Sequence, residues 1–224
     1  MKNLTVKELF LTENKLFAPL FEGIEYPFEA LGKISGFIKE LGPKLDKEVY
    51  EEKGENIWIA RSAKVAPTAS ITGPCIIGEN SEVRHCAFIR GNALVGDNCV
   101  VGNSTELKNV VLIGKVQVPH YNYVGDSILG YGSHMGAGSI TSNVKSDKTL
   151  VTVKVGSEKI ETGLKKFGAI LGDFVEVGCG SVLNPGTIIG SHSNIYPLSM
   201  VRGFVPKNSI YKKAGEVVEK RNDG

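Results

Sequence analysis

From residue 59 to residue 113 every sixth position is Ile, Val or Leu: Ile59, Val65, Ile71, Ile77, Val83, Ile89, Val95, Val101, Leu107 and Ile113. Four residues after each stands a small or β-branched side chain, including Ala63, Ala69, Cys75, Ser81, Ala87, Ala93, Cys99, Thr105 and Val111. The register returns as Leu171, Val177, Leu183, Ile189, Ile195 and Val201, with Val175, Ser181, Thr187, Ser193, Ser199 and Val205 at the small position. A period of six fits neither the 3.6 of an α-helix nor the plain alternation of a hairpin sheet. Three hexapeptides instead make one triangular coil of about 18 residues, and coils stack at about 4.8 Å. The pattern predicts a parallel β-helix over 57–210, with the aliphatic residue of each hexapeptide inside the prism. Glycine after the aliphatic residue, as in Ile77-Gly78, Val95-Gly96 and Val101-Gly102, is expected to permit the bend at each corner.

Three segments break the period. In 1–56, Phe28, Leu31, Ile34, Ile38 and Leu41 follow Pro27 at helical spacing up to Gly42-Pro43, which predicts a helical N-terminal arm. A second short helix is expected from Asp46 to Lys53. Residues 145–168 interrupt the coils; Leu150–Val155, Gly156-Ser157 and Lys159–Glu161 read as a protruding β-hairpin. The tail 211–224 is expected to close the β-helix with a helix from Ala214 to Arg221, since an open end is an unpaired sheet edge. Between Ile113 and the hairpin the aliphatic steps shorten in places to five (Val118, Val124, Leu129, Met135, Thr141), so the wall there is expected to be distorted. His120, Tyr121, Tyr123, His134 and Gly136-Ala137-Gly138 fall in that stretch.

Composition narrows the function. The net charge is +2 in 224 residues, too little for a nucleic-acid footprint. With no apolar run of spanning length and no leader pattern, the expectation is a cytoplasmic protein without a membrane partner. Cys75 and Cys99 fall at interior positions and Cys86 and Cys179 outside, which reads as four free thiols. His85, His120, His134 and His192 lack the close pair that a γ-type carbonic anhydrase of this fold uses for zinc, and no metal is expected.

The register also supplies a chemical clue. Ile89 and Leu107 lie one coil apart, so Arg90 and Lys108 stack at one outer corner, and Gly125, in the next coil, is expected to leave space there. Stacked like charges are unfavourable, and a phosphate bridging them is one way to relieve that. Two solvated surface cations are the other reading.

The segments Val101–Lys108, Val118–Asp126 and Met135–Asn143 resemble the acetyltransferase half of the bifunctional glucosamine-1-phosphate N-acetyltransferase/uridylyltransferase. The hairpin and Lys165–Gly172 look more like archaeal sugar-1-phosphate nucleotidylyltransferases that carry such a domain. This resemblance, not the period, implies a left-handed helix. It implies a homotrimer and direct acetyl transfer from acetyl-CoA to an amino-sugar phosphate, without metal or covalent intermediate. His120 matches the general base, Tyr123 and His134 sugar contacts, and Arg90 and Lys108 phosphate ligands; Lys165 or Lys166 matches a further lysine. Asn143 matches a residue near the acetyl group, and Ala137, Gly138, Cys179 and Pro197 fall along the coenzyme site. His134, Val144, Cys179 and Pro197 depart from the family's residue types. The nucleotidyltransferase half has no counterpart in these residues, so pyrophosphorylase activity is not expected, and a separate nucleotidyltransferase is the partner that the resemblance suggests. The competing reading is a non-catalytic scaffold or regulatory subunit.

Overall fold

The computed structural model describes residues 2–11 and 16–220. Its centre is a three-walled stack of parallel coils. The first wall runs through Ile57–Ala60, Cys75–Ile77, Ala93–Val95, the ends of Glu106–Leu112 and Tyr123–Leu129, Ala169–Leu171, Thr187–Ile189 and Phe204–Val205. The second runs from Lys64–Val65 through Val100–Asn103, Gln117–His120 and His134–Met135 to Ser209–Lys213. The third runs from Ser70–Ile71 through Phe88–Ile89, the starts of Glu106–Leu112 and Tyr123–Leu129, and Ile140–Thr141 to Met200–Val201. Interior aliphatic residues stack in columns: Ile71, Ile89, Leu107 and Val124 pair in turn, as do Val65, Val83, Val101, Val118, Met135 and Val177. From Val83 and Ile89 onward these columns form one continuous buried core, with Ile71 packed partly buried against it and Val65 still 38% exposed at the open first coil.

The register slips once earlier than the pattern predicts. Leu112, not Ile113, stacks on Val95 and Leu129. The step from Leu107 is five residues, and strand Glu106–Leu112 runs through the corner instead of ending there. Ile113 is buried in the separate outer core. The bend itself also differs from expectation. Asn80, Cys86, Asn92, Asn98 and Ser104, six apart, hold φ between 51° and 60°, in the left-handed region that Asn tolerates. Gly102, two residues ahead of such a corner, serves another purpose: a Cβ there would lie 1.6 Å from the Pro119 carbonyl oxygen of the next coil. Its missing side chain lets neighbouring coils approach.

One wall is covered. Trp58, Ile76, Leu94, Val111, Ile128, Ile170 and Ile188 precede the interior residues of the first wall and point outward, yet all are buried. The N-terminal arm, joined at the last coils by Val151 and Val153 of the inserted hairpin, lies on them, and the arm runs against the direction in which the coils advance. Gly42 sits against the Trp58 ring, the α-helix Ile34–Leu41 packs on the third and fourth coils, and the Asp173 amide donates to the Leu9 carbonyl at 3.0 Å. The helical expectation for 27–43 resolves into a 3-10 turn, Pro27–Ala30, the α-helix, and a second 3-10 turn, Gly42–Lys44. Asp173 fixes the far end of the arm; its buried carboxylate accepts from the amides of Leu11 and Tyr131, both at 2.8 Å.

At each end of the stack an antiparallel strand covers the edge of one wall, where the sequence pattern suggested a helix. Tyr50–Gly54 pairs with Ile57–Ala60 in place of a helix at 46–53. Glu216–Glu219 pairs with Ser209–Lys213 in place of the closing helix, and Arg221 lies outside the described residues. A strand satisfies the unpaired edge of the last coil directly, which a helix cannot. The inserted hairpin, Thr152–Val155 with Glu158–Glu161, has the expected Gly156-Ser157 turn. It does not protrude: Val151 and Val153 are fully buried, and the hairpin lies flat along the stack over Gly186 and Gly203.

Candidate functional site

The edge between the second and third walls carries His85, Asn103, His120, Ala137, Cys179 and Pro197 in successive coils. Backbone bonds fix the column. Tyr121 donates to the Asn103 carbonyl (2.9 Å), Gly138 to that of His120 (3.0 Å), Gly180 to that of Ala137 (2.9 Å) and Leu198 to that of Cys179 (2.9 Å). His120, Ala137, Gly138, Cys179 and Pro197 are all exposed. Five residues matched from different parts of the chain therefore share one ridge, with only the small Ala137 and Cys179 in the two coils following His120.

Beneath this ridge lies a residue that the sequence reading passed over. Asn122 is 2% exposed and occupies the interior small position that other coils give to Thr105, Ser139 or Ser181. Its Oδ1 accepts from the His120 amide at 3.1 Å, and its Nδ2 donates to the carbonyls of Gly136 (2.9 Å) and Ser139 (3.0 Å). One side chain thus ties the His120 turn to the Gly136–Ser139 turn. The signal was present: Asn122 is the only amide among the small positions of its column.

Across the third wall, at its edge with the first, stand Arg90 and Lys108, stacked as expected, with Gly125 next in the column. The anion is already supplied by the chain. Lys108 Nζ lies 2.9 and 3.1 Å from the two oxygens of buried Asp126, and Arg90 donates to Glu106 Oε1 at 2.7 Å. Nor does Gly125 leave open space. A Cβ there would meet the Tyr123 hydroxyl at 2.5 Å, so the Tyr123 ring fills the room. Asp126 also accepts from Asn109 Nδ2 (3.0 Å) and Asn143 Nδ2 (2.6 Å), and the same Asn143 nitrogen donates to the Tyr123 hydroxyl at 3.1 Å. An ionised carboxylate only accepts, so the NH2 of Asn143 must face it and the amide carbonyl Oδ1 points elsewhere. Burial, aided by the Asp126 and Glu106 charges, raises the Tyr123 pKa and keeps the phenol neutral.

The remaining predicted residues are less gathered. His134 stands on the second wall, with Nδ1 2.8 Å from Glu176 Oε2, and makes no hydrogen bond to His120, Tyr123 or Asn143. Lys165 and Lys166 are both exposed; Lys166 adjoins Phe167, whose amide donates to the Asn143 carbonyl at 2.9 Å. Cys75 and Cys99 are buried and their thiols pushed up to about 12, while Cys86 and Cys179 are exposed. Among the described residues no three His, Cys, Asp or Glu side chains gather as a metal-binding group. No helix among them is long and apolar enough to cross a membrane.

Parallel coils stacked in three walls on a six-residue period define the class as a hexapeptide-repeat β-helix. Residues 71–197 match the family model described as the GMPPB C-terminal domain, and the chain belongs to that family. The chain is 36% identical over 117 residues to the bifunctional protein GlmU of Methanococcus vannielii, covering 52% of this chain and 28% of that protein. It is 33% identical over 106 residues to a bifunctional sugar-1-phosphate nucleotidylyltransferase/acetyltransferase of Sulfurisphaera tokodaii, covering 47% and 26%. This chain thus spans little more than a quarter of either relative. Among solved structures, a putative acetyltransferase of Bacillus cereus aligns with a TM-score of 0.41 and 18% identity over 74% of this chain and 78% of that one.

Proposed function

We propose that this chain is an acetyl-CoA-dependent N-acetyltransferase acting on an amino-sugar phosphate. The observation that carries the reading is the single ridge on which His120, Ala137, Cys179 and Pro197 follow one another, with Tyr123 and Asn143 across the adjoining wall. The small side chains of the ridge suit a long thioester arm laid along it towards His120. The amine nitrogen attacks the thioester carbonyl, the C–N bond forms and the C–S bond breaks. His120 takes the proton lost by the nitrogen, a task suited to an imidazole near neutral pH, and passes it to the departing sulfur, which leaves as the coenzyme thiol. Asn143, its NH2 engaged by Asp126 and Tyr123, offers Oδ1 as acceptor to an N–H of the amine, and so orients the nucleophile rather than the acetyl carbonyl.

Measurement of thiol release across a panel of phosphorylated amino sugars tests the reading. His120→Ala should lower the rate by about a hundredfold to ten-thousandfold with unchanged melting, because the ring is exposed. No transfer by the parent to any such sugar would favour the scaffold reading, which the internal neutralisation of Arg90 and Lys108 supports. We further propose a homotrimer formed through the second and third walls. The arm covers the first wall, while Leu198 (85% exposed) and Met200 (59%) leave apolar surface on the third. A monomer mass by light scattering at micromolar concentration would refute it.

A further inference from the structure

Beside the Asn143 corner lies a cleft of about 390 Å³ that the proposed mechanism does not use. On one side are Ser142 and Arg202, which occupy the same outer corner as Lys108 in later coils; on the other are the loop carrying Lys145 and Asp147 and the hairpin strand carrying Thr152 and Lys154. Three cations face one carboxylate. Lys145 is held by Asp147 at 3.4 Å, but among the described residues neither Lys154 nor Arg202 is in an ion pair. Packing keeps the two together: the Gly203 backbone, next to Arg202, passes so close beneath Lys154 that a Cβ would lie 2.9 Å from the Lys154 carbonyl oxygen. On the hairpin, Lys154 also stands directly opposite Lys159, and like charges so placed repel. Arg90 and Lys108 have carboxylates of their own; this cleft has hydroxyls and cations in excess.

We propose that the cleft binds a phosphate group, with Lys154 and Arg202 as its cationic ligands and the hydroxyls of Ser142 and Thr152 as supporting donors. The inference rests on the acetyltransferase reading for the identity of the ligand, since the phosphate belongs either to the amino sugar seated against Asn143 or to the coenzyme. Its existence does not depend on turnover. The buried Val151 and Val153 hold the hairpin down, so the inserted segment serves as a fixed wall of the cleft.

Calorimetric titration of the full chain with inorganic pyrophosphate tests the site without requiring catalysis. The parent should bind, and Lys154→Ala/Arg202→Ala should bind at least tenfold more weakly with unaltered melting temperature. Binding by the double variant equal to the parent's overturns the proposal, as does no binding by the parent, or an equal loss in a Lys7→Ala/Lys64→Ala control. Further titrations, with glucosamine 1-phosphate against glucosamine and with coenzyme A, assign the phosphate to whichever ligand loses affinity in the double variant; loss for neither overturns the site as functional. If pyrophosphate binds as expected but no thiol is released with any sugar, the acetyltransferase reading fails while the phosphate site stands.

Discussion

Lys108 Nζ sits between the two carboxylate oxygens of Asp126, at 2.9 and 3.1 Å, and the Asp126 side chain is only 5% exposed. The neighbouring Arg90–Glu106 pair is, by contrast, partly open to solvent, at 48% and 31% exposure. Two cations that look equivalent in the stack therefore have different work. Lys108→Ala leaves a buried carboxylate with only amide donors and should cost about 1.5–3 kcal/mol, the range for a charged hydrogen bond. Arg90→Ala should cost less than about 1 kcal/mol, as exposed pairs do. Chemical denaturation of the two variants checks this; equal midpoints would mean that Asp126 does not need Lys108.

Asn122 is a positioning residue, because it touches backbone and no reacting atom. Asn122→Ala should lower kcat about tenfold or more through displacement of His120 relative to the Gly136–Ser139 turn. KM for the sugar should change little, since Tyr123 and Asn143 remain in place. Steady-state kinetics decides: a raised KM with kcat intact would place Asn122 in the sugar site instead, and a matching loss in Asn122→Ser would point to packing alone.

Charge inside the prism should be intolerable. Val101 and Ile189 are fully buried in the inner core, and Val101→Asp or Ile189→Asp forces an unpaired carboxylate among aliphatic side chains. Loss of the cooperative thermal transition is expected for each. A variant melting within two degrees of the parent would contradict the register at that coil.

Alkaline pH should weaken the fold through Cys75 and Cys99. Burial raises both thiols from 9.0 to about 12, so the unfolded chain loses their protons first. Their contribution is intact below pH 9 and declines as pH rises from 9 towards 12. Denaturation at several pH values should show a shallower alkaline decline in Cys75→Ala/Cys99→Ala than in the parent; parallel curves would mean that the thiols ionise freely in the folded chain.

The interior columns were legible because a six-residue step fixes which way every side chain points. The reading failed where neighbouring residues are chemically alike: Leu112 and Ile113 are both aliphatic, so the pattern could not register the five-residue step at Asn109. The outward ladder from Trp58 to Ile188 was visible as an apolar residue just ahead of the interior one in one hexapeptide of three. Counting only the sixth positions hid it. Both capping hairpins were misread because Tyr50–Gly54 is too polar and Glu216–Glu219 too short to signal a strand; the open edge beside each makes it extended. Stacking placed Arg90 over Lys108 but could not reveal that Asp126, next to Gly125 in the sequence, turns back to meet Lys108. The grouping of Tyr123 with Asn143, twenty residues apart, entered only through family resemblance, and their hydrogen bond places the two side chains together.

A bare solenoid can gain or lose a coil at small cost, because each coil meets only others like itself. Here the N-terminal arm acts as a ruler laid against Trp58 at one end and Asp173 at the other. Duplicating a coil within that span would leave one more outward aliphatic residue than the arm can cover and would draw its far anchor out of reach. Length variation in this chain is therefore confined to the coils beyond the ruler and to loops such as the hairpin, so the number of coils between Trp58 and Asp173 is set by a segment that contributes no coil itself.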